Sequence, residues 1–284
     1  MKNLILLLMI GFLLTLSSCD SDVYDKEIKN EKGFAIALKM PEQDTAYNVI
    51  LRVFNNEGVF IQKSNYSSVK ELSSTILNFP SGNDKLLLTD NCENIFSINE
   101  EENKSTLQNL LFTLKAPSSS PIPAHYALCD ISSPIDSLSH ITIQMNRIFA
   151  ELHLSISNIA DNITKVSAKI MNVSCGFYPC IEKLTPNTTS VNLENIAVVN
   201  ETVTFPKTIL MPDDNPQVEI VLYKNDGNTL ITRVNLPPMY NGGIYSTNIN
   251  GSDLQADILL NLTQITDWRQ NKEINGEILN PIIQ

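Results

Sequence analysis

Glycine, histidine and tryptophan are scarce in this chain of 284 residues, at 10, 3 and 1. None of the glycines falls into the G-x-G-x-x-G or G-x-x-x-x-G-K spacing that lets backbone amides close on phosphate, which disfavours nucleotide enzymes. The G-x-S-x-G elbow and the H-E-x-x-H zinc motif are missing as well. His125, His140 and His153 stand apart from one another, with no Cys or His at helical ligand spacing. They read as surface or turn residues rather than bases or metal ligands. Basic residues are also few: 20 Lys and Arg face 31 Asp and Glu, a net charge of -11. No basic field exists to condense on phosphates, so nucleic acid is excluded as a partner. No catalytic residue, cofactor or metal site is expected.

What is present is a chain that folds: 43% of residues are hydrophobic and only 18% charged. The length suggests about two domains. Asparagine is abundant, 32 residues in all, and it favours turns and tolerates left-handed backbone. Many short strands joined by turns is the expected architecture.

The N-terminus points to export. Lys2 precedes an almost unbroken apolar run from Leu4 to Leu16, the length of a signal-peptide core and too short to span a bilayer comfortably. Leu16-Ser17-Ser18-Cys19 resembles a bacterial lipobox, in which the cysteine is acylated and becomes the new N-terminus. Residues 1–18 are therefore expected to be a signal peptide and Cys19 the lipid attachment site. Each buried lipid CH₂ contributes roughly 0.8 kcal/mol, so two or three acyl chains hold a protein stably. Asp20-Ser21-Asp22 looks like the acidic surface-export signal of Bacteroidetes lipoproteins, and residues 19–32 read as a polar tether to the outer membrane.

Alternation starts at Phe34, Ile36 and Leu38 and continues at Val49, Leu51 and Val53, with Asn55 to Gly58 turning into the next strand. Leu86-Leu87-Leu88 reads as a strand buried on both faces. One helix is expected in this half: Asn99 as cap, Glu102 completing a capping box, and Leu107, Leu110, Leu111 and Leu114 as an apolar stripe. Residues 116–139 carry four prolines and several serines and mark a boundary between domains at 33–138 and 139–284. The second half is more purely β, with a hairpin turning at Asn225 to Asn228.

Asp213-Asp214-Asn215, the densest oxygen cluster, reads as a solvated turn between two prolines. Sugar sites lean on stacked aromatics, and Trp268 is better read as a packing residue. Four cysteines remain after Cys19, an even number for an oxidising compartment. Domain economy favours Cys92 with Cys129 and Cys175 with Cys180, against the alternative of unpaired thiols.

Several segments together carry a resemblance: the lipobox, Val53 to Gly58 as a strand running into a turn, Met145-Asn146-Arg147-Ile148-Phe149-Ala150-Glu151-Leu152, and the closing Ile265-Thr266-Asp267-Trp268. Their order is similar to the fimbrillin-type proteins of Bacteroidetes, which include fimbrial stalk subunits, tip subunits and lipoprotein anchors. The resemblance implies two transthyretin-like β-sandwich domains and fimbrial subunits as partners. It also implies assembly by strand exchange, in which a protease cuts after an arginine behind the first strand. Here the first arginine, Arg52, already lies inside the second expected strand, and only Lys39 is basic between the two. An anchor or accessory subunit is therefore expected; the alternative is a surface glycan-binding lipoprotein. Asp44-Thr45-Ala46 and Asp136-Ser137-Leu138 also resemble the short O-glycosylation motif of Bacteroidetes, making Thr45 and Ser137 candidate acceptors.

Overall fold

The computed structural model describes residues 32–41, 44–79, 83–132 and 137–255, with the backbone of two further short strands at 264–267 and 272–273. The protein is mainly β. Its first half runs β1 (Gly33–Lys39), β2 (Val49–Phe54), β3 (Phe60–Tyr66), α1 (Val69–Ser73), β4 (Ile76–Leu77), β5 (Asn83–Asp90), α2 (Cys92–Ile95), β6 (Phe96–Ile98), β7 (Phe112–Leu114) and β8 (His125–Ser132). The chain continues through β9 (Leu138–Gln144), β10 (Asn146–Arg147), β11 (Ala150–Ser157), β12 (Ile163–Ser174), β13 (Gly176–Tyr178), β14 (Lys183–Leu184), β15 (Thr188–Asn192), β16 (Ile196–Ala197), β17 (Val203–Thr204) and β18 (Thr208–Leu210). It closes with β19 (Gln217–Lys224), β20 (Thr229–Asn235), β21 (Gly243–Asn250), β22 (Gln264–Asp267) and β23 (Lys272–Glu273).

A small sheet, β4-β1-β9, faces a five-stranded sheet, β10-β8-β5-β2-β3. Phe34 and Ile36 from the first meet Val49, Leu51, Val53, Leu86 and Leu88 from the second in one core. Leu87 points the opposite way, into a second and larger core that takes in the inner faces of β11, β12, β19 and β21. The triple leucine is thus buried on both faces because its sheet is covered on both. A third sheet, β6-β7-β13-β14, is built from both halves of the chain. Phe112 of β7 packs edge-on to Phe177 of β13 with centroids 5.3 Å apart, and Phe96 stacks on Phe149 at 5.6 Å. Gly176 permits the close approach of these strands, since a Cβ there would lie 2.2 Å from the Phe112 carbonyl oxygen.

Strand β19 and strand β20 form the expected hairpin, closed where Lys224 N–H donates to Asn228 O. Of the seven non-glycine residues with positive φ among the described residues, five are asparagines, so the asparagine surplus does serve turns.

One expectation fails. Residues 99–114 form no helix: Asn99, instead of capping one, closes a loop by accepting from Leu111 N–H and donating to Asn109 O. Leu107 is buried in a short 3-10 turn, while Phe112 and Leu114 are buried from strand β7. The leucine spacing fitted a helix, but burial is supplied by alternation and by tertiary pairing of β7 with β6 and β13. The α-helices lie elsewhere. Ser68 caps α1 by accepting from Glu71 N–H, and Glu71 reaches back to Ser67 N–H, a capping box the sequence does contain. The proline-rich stretch contains a strand as well, β8, the partner of β5 and β10, whose alternation the flanking prolines hide. Strand β9, at the opening of the second half, pairs in parallel with β1.

Candidate functional site

The strand on which the assembly question turns is β1. Its side chains at Phe34 and Ile36 are 4% and 1% exposed, and each contributes roughly 1.5–3 kcal/mol by burial. It runs antiparallel to β4 at Phe34 and Ala35, and parallel to β9 over all seven residues, Gly33 opposite Leu138 through Lys39 opposite Gln144. Met145 N–H donates to Lys39 O and ties the end of the pair. The groove that β1 fills is filled by this chain's own residues.

Arg52 lies inside β2 with its side chain fully buried. Its Nη1 donates to Thr89 Oγ1 at 2.9 Å, and the guanidinium pairs with Glu93 and Glu100 and sits 6.0 Å from the Phe112 ring centroid. Lys63 bridges the same two glutamates. Burial pushes Glu100 upward, but hydrogen bonds from Arg52 and Lys63 outweigh it and hold the carboxyl below its ordinary value. An arginine in this setting offers no peptide bond to a protease while the sheet stands.

His125 is not the surface or turn residue expected from the sequence. It is 1% exposed, at the start of β8, where Nδ1 lies 3.0 Å from Asp90 Oδ2 and Nε2 2.9 Å from Asp44 Oδ2. Asp90 in turn accepts from Tyr47 and Asn48 N–H, and Arg147 of β10 pairs with Asp44 through two nitrogens. Burial raises the Asp44 carboxyl, yet hydrogen bonds from Arg147 and His125 outweigh it and bring it below its ordinary value. Both ring nitrogens of His125 are occupied by carboxylates, so the arrangement is a clamp between the 44–48 loop, β5, β8 and β10. Only spatial pairing reveals it, because Asp44, Asp90 and His125 have no common spacing. His140 is exposed on β9, and His153 is half-exposed beside Glu151 at 2.6 Å.

All four described cysteines are free thiols. Cys92 belongs to the larger core, whereas Cys129 packs against the smaller core on the opposite face of the same sheet, which argues against the first expected pair. Burial raises the Cys92 thiol far above its ordinary value and pushes Cys129 up to about 11. Cys175 and Cys180 flank β13 and are likewise unpaired, so the second expected pair is not formed in this structure either. Asp213-Asp214-Asn215 is a turn, with Asn215 N–H donating to Asp213 Oδ1. Thr45 and Ser137 are both exposed. The expected signal peptide, Cys19, residues 19–31 of the tether and Trp268 lie outside the described residues. No helix among the described residues is long and apolar enough to cross a membrane.

The fold recurs in solved structures. A candidate adhesin from Bacteroides thetaiotaomicron has a TM-score of 0.58 at 11% identity, covering 78% of this chain and 92% of that one. A candidate cell adhesion protein from Bacteroides eggerthii gives 0.53 at 9% identity, over 90% and 94% of the two chains. The fimbrial anchor protein Mfa2 of Porphyromonas gingivalis gives 0.52 at 13% identity, over 70% and 81%. No match to the chain was found among curated proteins. The family model described as fimbrillin-A associated anchor proteins Mfa1 and Mfa2 matches residues 17–274, and the chain belongs to that family of fimbrial anchors.

Proposed function

We propose that the protein is a non-enzymatic lipoprotein of the outer membrane, tethered through lipid on Cys19 and exposed at the cell surface, that holds fimbrial subunits as an anchor or accessory subunit. The observation that carries the reading is the seven-residue pairing of β1 with β9, together with an Arg52 that is buried rather than displayed. A stalk subunit must vacate the groove of its first strand; a subunit that keeps it filled joins a filament at one end only. Contact with fimbrial subunits then uses main-chain pairing at another edge, where backbone hydrogen bonds supply affinity and alternate side chains supply specificity. The division into domains at 33–138 and 139–284 is part of this proposal.

Deleting the gene and imaging the surface tests this reading. The expected result is fimbriae that are shed or altered in length, with the Cys19→Ala form unable to incorporate labelled fatty acid or to restore attachment. Unchanged fimbriae in the deletion strain would contradict the anchor role, and label retained by Cys19→Ala would contradict the lipid site.

A further inference from the structure

A cleft of about 560 Å³ opens between residues 181–184, Pro212, Asp214 and residues 239–241. One wall is built into the sheet, since Lys183 and Leu184 pair with β13 and Glu182 accepts from the Tyr126 hydroxyl, while Tyr240, Asn241 and Asp214 belong to no strand. Its volume lies within the roughly 300–1,000 Å³ typical of ligand sites. Tyr240, on its wall, is 53% exposed, although a ring of that size is ordinarily covered. The backbone beneath the ring is fixed: Tyr240 N–H donates to Tyr245 Oη at 2.8 Å, and Gly243 N–H donates to Tyr240 O at 3.0 Å.

The neighbouring Asn241 is more than nine-tenths buried, and its side-chain amide has no hydrogen-bond partner among the described residues. Its polar atoms still reach solvent, and the cleft is the opening it lines. An amide carries two donors and an acceptor that a buried position should satisfy. On the rim, Asp214 and Lys183 are exposed and in no ion pair among the described residues. An exposed aromatic ring on an anchored backbone, beside an amide and a carboxylate that make no side-chain hydrogen bond or ion pair among the described residues, presents the complement of a pyranose: an apolar C–H face flanked by vicinal hydroxyls.

We propose that this cleft binds one sugar unit of a glycan, with Tyr240 stacking on the ring, Asn241 taking a pair of hydroxyls and Asp214 a third. The scarcity of aromatics that counts against an extended sugar platform does not count against a single-unit site. One such site is weak, and many copies on one surface would raise the effective affinity. The proposal is independent of the anchor reading.

The test displays the full mature chain, made soluble by Cys19→Ser, multivalently against an immobilised panel of defined oligosaccharides, and repeats it with Tyr240→Ala and Asn241→Ala. The expected result is retention on at least one glycan, reduced tenfold or more by each substitution and unchanged in Tyr223→Phe, which lies on another sheet. Tyr240 is exposed, so its variant keeps the fold by circular dichroism and remains decisive if Asn241→Ala does not. Retention on no glycan, or equal retention by Tyr240→Ala, overturns the proposal. So does protection of the cleft by a purified fimbrial subunit in the absence of any glycan binding, which would assign the cleft to a protein partner.

Discussion

Arg147 grips Asp44 across 103 positions of sequence, with Nη2 2.8 Å from Oδ1, and so ties the loop after β1 to the strand that leads into the second half. Because the Asp44 carboxyl is held below its ordinary value of 3.8, the stability it contributes is complete above that value and is lost as pH falls through the folded value. Asp44→Asn should lower stability by about 1–3 kcal/mol at neutral pH and flatten this acid limb. Urea unfolding at neutral and acid pH measures both, and an unaltered acid limb in the variant would remove Asp44 from the account.

Arg52→Leu leaves Glu93 and Glu100 with only Lys63 and should destabilise by about 3–5 kcal/mol, the cost of breaking a buried pair from one side. A change below 1 kcal/mol in the denaturant midpoint would mean that the network is solvated in solution.

Gly176→Ala places a methyl group 2.2 Å from the Phe112 carbonyl oxygen, so β13 must move off β7. The expected loss is about 1–3 kcal/mol, the usual range for overpacking. Gly227→Ala is the control: its methyl meets open space and the cost is that of a positive φ alone, about 1 kcal/mol. Equal losses at the two sites would contradict the close approach.

An element shows in the sequence to the extent that the signal ordering it is local. The β19–β20 hairpin and the inward face of β1 announce themselves, because period-two alternation and an Asn-Asp-Gly turn are local. The 99–114 segment misled because a leucine spacing of three and four fits a helix, while what orders it is the non-local pairing of β7 and the loop closed by Asn99. His125 misled for the same reason, since the carboxylates that clamp it come from positions 35 and 81 residues away. The Ser68–Glu71 capping box was readable and fixes α1, but its helix is too short to show a periodic stripe.

In the reduced, folded protein, maleimide should modify Cys175 and Cys180 before Cys129, and Cys92 only on unfolding. Burial raises all four thiols, Cys92 most of all, and Cys92 also donates to the Asp90 and His125 carbonyls. Peptide mapping of the modified sites checks the order, and early modification of Cys92 would contradict it.

The anchor role requires the first strand to stay in its own sheet. The direct measurement is to incubate the purified mature protein with an Arg-specific protease under native conditions, then follow sedimentation and identify the N-terminal fragment that co-purifies. A monomer that retains residues 33–39 is expected, because Arg52 is buried and β1 is paired along its length with β9. Release of that strand followed by polymerisation would contradict it and mark the chain as a stalk subunit.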